Sequence, residues 1–227
     1  MQPRILHIET ATKICSVAVS KGEDLLASVE KETDAYIHGE SLTLFIIDVL
    51  KEAKLLATEL DAISVSIGPG SYTGLRIGLS TAKGLCMGLQ IPIICIPTLD
   101  SLLAQGKLKH PGRIICGMLD ARRMEVYTKT IKADGSVLHD LESLVIEEDT
   151  FVDQEPFIYF GDGAPKIHKL WKNRNAEFDP FLKISAKGQV GLALMRYLNQ
   201  NFDHLANCKP LYFCLLYTSP SPRDLMR

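Results

Sequence analysis

The chain has 227 residues, 46% hydrophobic and 23% charged, with a net charge of −2 and an isoelectric point near 6.3. That length suffices for one large domain or two small ones with a self-sufficient core, and the near-neutral balance excludes a broad basic footprint for nucleic acid. No stretch approaches the roughly 20 apolar residues that cross a bilayer. The opening MQPRILHIETAT lacks the basic region and long apolar run of a secretory signal, so the expectation is a cytoplasmic protein with no membrane partner.

Residues 4–32 read as three strands, Arg4–Glu9, Cys15–Lys21 and Asp24–Lys31, with a turn at Lys21-Gly22-Glu23. A helix is predicted from about Glu40 to Ala53, then a short one near Thr58 and a strand Ala62–Ile67. That strand runs into Gly68-Pro69-Gly70-Ser71 and a helix from Tyr72 to Leu89, followed by a strand Ile91–Ile96. The second half echoes this order. Arg113–Leu119 and Met124–Ile131 are predicted strands, Ala133-Asp134-Gly135 a hairpin turn, and Phe157–Phe160 a strand ending in Gly161-Asp162-Gly163, with helices at 165–174 and 187–202. The pattern is βββαβα twice, which describes an α/β chain of actin/Hsp70-like (ribonuclease-H-like) architecture in two subdomains, 1–104 and 105–212. After Tyr212 the run FCLLYTSPSPRDLMR continues neither helix nor strand and reads as a non-native tail, 213–227, such as a translated adapter or vector scar.

Six cysteines stand at 15, 86, 95, 116, 208 and 214. None has CxxC spacing, which argues against a zinc knuckle or a redox pair. Cys15, Cys95 and Cys116 lie in apolar runs, where a reduced cysteine behaves as a small core residue.

The stretch from Ser66 to Leu85 is the most informative. A strand, a glycine turn and a helix start suit phosphate binding in principle. The spacing, however, is GxGxxxG, and Lys83 lacks the neighbours of a P-loop lysine. The helix wheel says more. Leu75, Leu79, Ala82, Cys86 and Leu89 share a bulky apolar face, whereas Gly74, Gly78, Thr81, Gly84 and Gly88 form an adjacent face of small residues. An interior helical glycine costs about 1 kcal/mol relative to alanine, and close approach of another backbone is one way to offset it. That neighbour could lie in the same domain or in a partner. On the helix at 40–53, Leu42, Phe45, Ile46, Val49 and Leu50 form the core stripe, while Leu44 and Ile47 lie on the opposite flank beside Glu40 and Lys51. A second apolar stripe on a surface helix points to association. The expected partner interface is Glu40, Leu44, Ile47, Lys51, Gly74, Ile77, Gly78, Thr81, Gly84 and Gly88.

In order along the chain, ILHIETAT, HGESL, IGPGSYTGLRIGLSTAKGL, LDARRMEVY at 119–127 and KPLY resemble the TsaB (YeaZ) family, from about Ile5 to Tyr212. The resemblance implies the ASKHA fold and a non-catalytic subunit, paralogous to the catalytic subunit TsaD and bound to it together with the ATPase TsaE. That complex moves a threonylcarbamoyl group from its AMP adduct to N6 of the adenosine 3′ of the anticodon. It further implies that the first two long helices, here 40–53 and 72–89, pair with TsaD or with a second copy of the chain. On this reading tRNA is met only through the complex, and ATP and metal belong to TsaD and TsaE, with no cofactor of the chain's own.

Two enzymatic alternatives stay beside it. A glycoprotease-like peptidase or metal site wants paired histidines at i, i+4, and His7, His38, His110, His139, His168 and His204 provide no such pair; a G-x-S-x-G elbow is also missing. A stand-alone ASKHA-type nucleotide-binding enzyme would place phosphate at Glu9, Thr10 and Gly161-Asp162-Gly163, the weak cofactor candidates, although turn chemistry explains both turns. Asp120, Arg122, Arg123 and Glu125 could be catalytic, with an ion-pair network as the alternative. No catalytic or metal-ligating residue is assigned.

Overall fold

The computed structural model describes residues 2–32, 38–154 and 156–212. Strand β1 (Arg4–Glu9) runs through the middle of a five-stranded sheet and is buried on both faces over nearly its whole length. It pairs antiparallel with β2 (Ile14–Lys21), which pairs with β3 (Asp24–Glu32). On its other edge it pairs parallel with β4 (Ala62–Gly68), which pairs with β5 (Ile93–Pro97). Because side chains alternate across a strand, Leu6 and Ile8 face one side with Val17, Val19, Ile63, Val65 and Ile93. Helices α1 (His38–Glu52) and α2 (Tyr72–Leu89) cover that side through Leu42, Ile46, Val49, Leu79, Ala82 and Cys86. Ser71 caps α2, its hydroxyl accepting from the Gly74 amide at 3.2 Å.

The second sheet repeats the first. β6 (Ile115–Asp120) sits centrally, antiparallel to β7 (Glu125–Ile131), which pairs with β8 (Val137–Val145); on its other side it is parallel to β9 (Phe157–Phe160), followed by β10 (Ala176–Asp179). Both sheets therefore have the order third, second, first, fourth, fifth strand, the duplicated ribonuclease-H-like unit expected from the βββαβα repeat. One face of the second sheet packs on Trp171 and the short helix α4 (Ala164–His168), which ends sooner than the expected 165–174.

The other face corrects the sequence reading. Helix α3 (Thr98–Lys109), not predicted, runs across the expected boundary at 104/105 and packs under the second sheet through Leu99, Leu102 and Leu103. Its interior Gly106 weakens the helical signal, yet a Cβ there would stand 2.2 Å from Phe160 Cζ. β8 and β10 were not predicted either; both are the outer strands of the second sheet. Conversely, the predicted helix 187–202 is a 3-10 turn at Ala186–Gln189 followed by α5 (Val190–Leu198). α5 returns to the first sheet, joining Ile5, Ala62, Ile94 and Ile96 through Ala193. The two subdomains exchange cover rather than dividing at one residue.

Candidate functional site

Two surfaces are built by this fold: a cleft between the sheets and the outer flank of α1 and α2. The cleft, of about 1490 Å³, is bordered by the turn after β1, the start of α2, the β6–β7 connection, the turn after β9 and Tyr212. At its floor the sequence-predicted phosphate residues turn away. Glu9 is fully buried; the Ala11 amide donates to its carboxyl at 2.8 Å and the Ser66 hydroxyl is hydrogen-bonded to it. Thr10 is equally buried and donates to the Gly74 carbonyl at 2.9 Å. Neither residue is among those that border the cleft, where the sequence reading had placed both. Gly161 and Asp162 do border it. Asp162 accepts from the Asp120 amide at 3.1 Å, and the buried Gly163 amide donates to Met118 O at 3.1 Å. These contacts give the turn a structural task, binding it to the end of β6.

Behind Glu9 lies a polar row that the sequence reading missed. His7 Nδ1 is 2.7 Å from Ser64 Oγ and its Nε2 is 2.9 Å from Ser20 Oγ. The Ser64 hydroxyl donates to Gln189 Oε1 at 2.7 Å, while Gln189 Nε2 donates to Ser66 Oγ and to Ile8 O. Gln189 thus pins the returning chain to the first sheet. Period-2 polar residues inside apolar strands (His7 and Glu9, Ser64 and Ser66) are the available signal; their shared partner Gln189 lies 125 positions beyond Ser64.

Burial moves both ionisable members of this row. Glu9 is pushed up to about 7, loss of solvent outweighing its bonds to Ser66, Ala11 and Gln189, and loss of solvent pushes His7 down to about 3. Above pH 4.5, Glu9's ordinary value, the unfolded chain releases a proton that the folded chain keeps, so this contribution to stability falls as pH rises toward 7. His7 acts oppositely, its contribution falling as pH drops from 6.5 toward 3. The two slopes oppose each other where the windows overlap. Glu9→Gln removes one of them: relative to the unsubstituted chain the variant should gain roughly 3 kcal/mol between pH 4.5 and 7. A pH series of urea midpoints reads this out, and parallel curves for the two proteins would contradict a neutral Glu9.

On the cleft wall, Arg122 and Arg123 have φ of 74° and 46°, a left-handed conformation that costs a non-glycine residue roughly 1–2 kcal/mol. The expected ion-pair network forms differently: Asp120 pairs with Lys166 and Glu125 bonds the Ser143 hydroxyl, while both arginine side chains stay exposed at the cleft. Among the described residues no group of three or more His, Cys, Asp or Glu is arranged to hold a metal ion.

The second surface divides the expected partner residues. Leu44 is 59% and Ile47 55% exposed, with Lys51 beside them; the Glu40 and His38 side chains lie outside the described residues. On α2, Gly74 and Gly78 are buried, and a Cβ on Gly78 would meet Thr10 Oγ1 at 2.2 Å. Their close neighbour is therefore the chain's own turn after β1, which corrects their placement in a partner interface. That turn overlies only the first half of α2. Ile77 and Thr81 are half-buried, and at Gly84 and Gly88 a Cβ would meet nothing within 4 Å among the described residues. Met87, 71% exposed, stands between them.

A family model described as TsaD, tRNA N6-adenosine threonylcarbamoyltransferase, matches residues 32–212. The TsaB protein of Escherichia coli K12, named for tRNA threonylcarbamoyladenosine biosynthesis, is 35% identical over 132 residues, which are 58% of this chain and 56% of that protein. Against this relative the match spans just over half of its length. TsaB of Buchnera aphidicola is 31% identical over 74% of this chain and 83% of its own. Among solved structures, YeaZ from Pseudomonas aeruginosa superposes with a TM-score of 0.77 at 24% identity, covering 93% of this chain and 100% of that one, which is a likeness of fold. Sequence relatives and family model agree, and the chain belongs to the TsaB (YeaZ) branch of the family that the TsaD model describes.

Proposed function

We propose that this chain is a non-catalytic subunit in the synthesis of threonylcarbamoyladenosine in tRNA, and that it works by presenting the outer flank of α1 and α2 to a TsaD-type catalytic subunit. The relatives' names supply the pathway. The observation that carries the mode of action is the open half of α2. Gly84 and Gly88 each cost the helix about 1 kcal/mol relative to alanine, and among the described residues nothing lies within 4 Å of the Cβ position at either one. Close approach by a second polypeptide accounts for both, and Leu44, Ile47 and Met87 supply the apolar surface for it to cover. The inward turn of Glu9 and Thr10 weighs against a nucleotide-driven reaction in the chain's own cleft.

A reconstituted threonylcarbamoylation assay with each subunit omitted in turn tests the reading. The chain alone should transfer nothing, and the catalytic subunit should need it. Turnover by the chain alone would overturn the proposal. The same reasoning predicts that Gly84→Ala and Gly88→Ala each stabilise the isolated chain by roughly 1 kcal/mol, measured as a raised urea midpoint with an unchanged slope.

A further inference from the structure

Two cysteines that the sequence separates by 113 positions meet in the fold. Cys95 Sγ, on β5, and Cys208 Sγ stand 3.3 Å apart, both buried. The absence of CxxC spacing bears only on pairs close in sequence and does not address this one. We infer that Cys95 and Cys208 are a reversible dithiol–disulfide site, closed by exchange with a small-molecule disulfide such as oxidised glutathione, and that its closure fastens the 203–212 segment to the first sheet.

The geometry around the pair supports this. A disulfide of about 2.05 Å requires the sulfurs to approach by only about 1.3 Å. Cys208 sits on a segment without regular helix or strand that runs from the start of β5, at Ile93, to the end of β4, at Ile67. The segment is anchored at one end by the Cys95 amide donating to Asp203 Oδ2 at 2.7 Å and by Asp203 N donating to Ile93 O at 3.0 Å. At the other end Leu211 N donates to Ile67 O at 2.6 Å. There too the Tyr212 ring lies 5.0 Å from that of Tyr72, and its hydroxyl accepts from Arg76 Nε at 2.8 Å. Between these anchors the Cys208 and Leu205 side chains join the core of the first subdomain.

Cys15 is buried in the core of the first subdomain, which Cys86 and Cys208 share. Cys86 Sγ is directed at Pro92 O, 3.6 Å away, and Cys116 Sγ lies 3.1 Å from Thr128 Oγ1 within the second sheet. Cys95 is held inside β5, whereas Cys208 lies on the irregular segment, so Cys208 is the thiol that local opening exposes first and the first nucleophile. Its thiolate attacks one sulfur of oxidised glutathione, forming a mixed disulfide and releasing one glutathione thiolate. The Cys95 thiolate then attacks the Cys208 sulfur and releases the second glutathione. Two electrons and two protons leave the protein, and one glutathione disulfide becomes two glutathiones. The cross-link closes a long loop and so constrains the unfolded chain. It also holds Tyr212 over the first turn of α2.

The test uses the full chain carrying Cys214→Ser, since Cys214 lies outside the described residues and would compete. The protein is equilibrated in glutathione buffers of graded oxidation, quenched with a maleimide, and read by intact mass and peptide mapping. Two thiols should disappear without added glutathione mass, a Cys95–Cys208 cross-linked peptide should appear and be reversed by reduced glutathione, and the melting temperature should rise by several degrees. With Cys95→Ala added, the intramolecular link should vanish and glutathione should remain on Cys208; Cys208→Ser should keep every remaining thiol free. Absence of an intramolecular link in fully oxidised buffer, a link from Cys208 to Cys86, or a lowered melting temperature on oxidation would each overturn the inference.

Discussion

Gly161→Ala is expected to cost the fold about 2–6 kcal/mol, a large share of the stability of an ordinary domain. Two effects add at this position. Gly161 has φ of +104°, a backbone state that costs an L-residue roughly 1–3 kcal/mol. A Cβ there would also stand 2.2 Å from Met118 O and 3.0 Å from Leu102 Cδ2. Met118 O is a strand carbonyl that already accepts from the Gly163 amide, so it cannot retreat without loosening the turn, and overpacking of this kind costs about 1–3 kcal/mol more. Gly112→Ala separates the two terms, because Gly112 has φ of +74° but nothing within 4 Å of its Cβ position. It should show the strain alone, about 1–2 kcal/mol. Urea titration of both variants checks this; equal losses at 112 and 161 would contradict the contact with β6.

The second large effect concerns association. Leu44→Glu with Ile47→Glu should leave the isolated chain's stability within about 0.5 kcal/mol of its starting value. Both side chains are more than half exposed, glutamate is nearly as good a helix former as leucine, and the favourable pair of a glutamate at 47 with Lys51 partly offsets the like charges of Glu40 and Asp48 four residues either side of position 44. Binding to the catalytic subunit should fall at least roughly a hundredfold. Each buried aliphatic side chain contributes about 1.5–3 kcal/mol to an interface, and the replacement leaves a carboxylate to be desolvated there. Titration calorimetry with the purified catalytic subunit reads the affinity, and thermal unfolding of the free variant reads its fold. Unchanged affinity in a folded double variant would remove α1 from the interface.

How much of this was legible in the sequence depends on how far apart the interacting residues lie. The flank of α1 was readable because Leu44 and Ile47 depart from the stripe formed by Leu42, Ile46, Val49 and Leu50, all within one helix. The small-residue face of α2 was readable only in part. Gly84 and Gly88 are open, but Gly74 and Gly78 are closed by Thr10, which lies 64 positions before the first of them. Periodicity within a helix reports which residues share a side and says nothing about what lies over it. The row joining His7, Ser64 and Gln189 and the meeting of Cys95 with Cys208 are hidden for the same reason. α3 was missed because Gly106, unfavourable for a helix, is demanded by Phe160 on the neighbouring sheet. The duplication was legible in part, since the first unit's strands and three of the second unit's carry their own local pattern, whereas β8, β10 and the exchange of α3 and α5 between units were not.

On the proposed reading a catalytic partner covers the outer side of α1 and α2. Amide hydrogen exchange of this chain, with and without the TsaD-type subunit, tests it most directly. Slowed exchange should concentrate in residues 41–52 and 76–89. α5, whose exposed Met195 and Leu198 offer a rival apolar surface, should exchange as it does in the free chain. Protection confined to α5 or to the cleft border at Arg122 and Arg123, with α1 and α2 unchanged, would contradict the account.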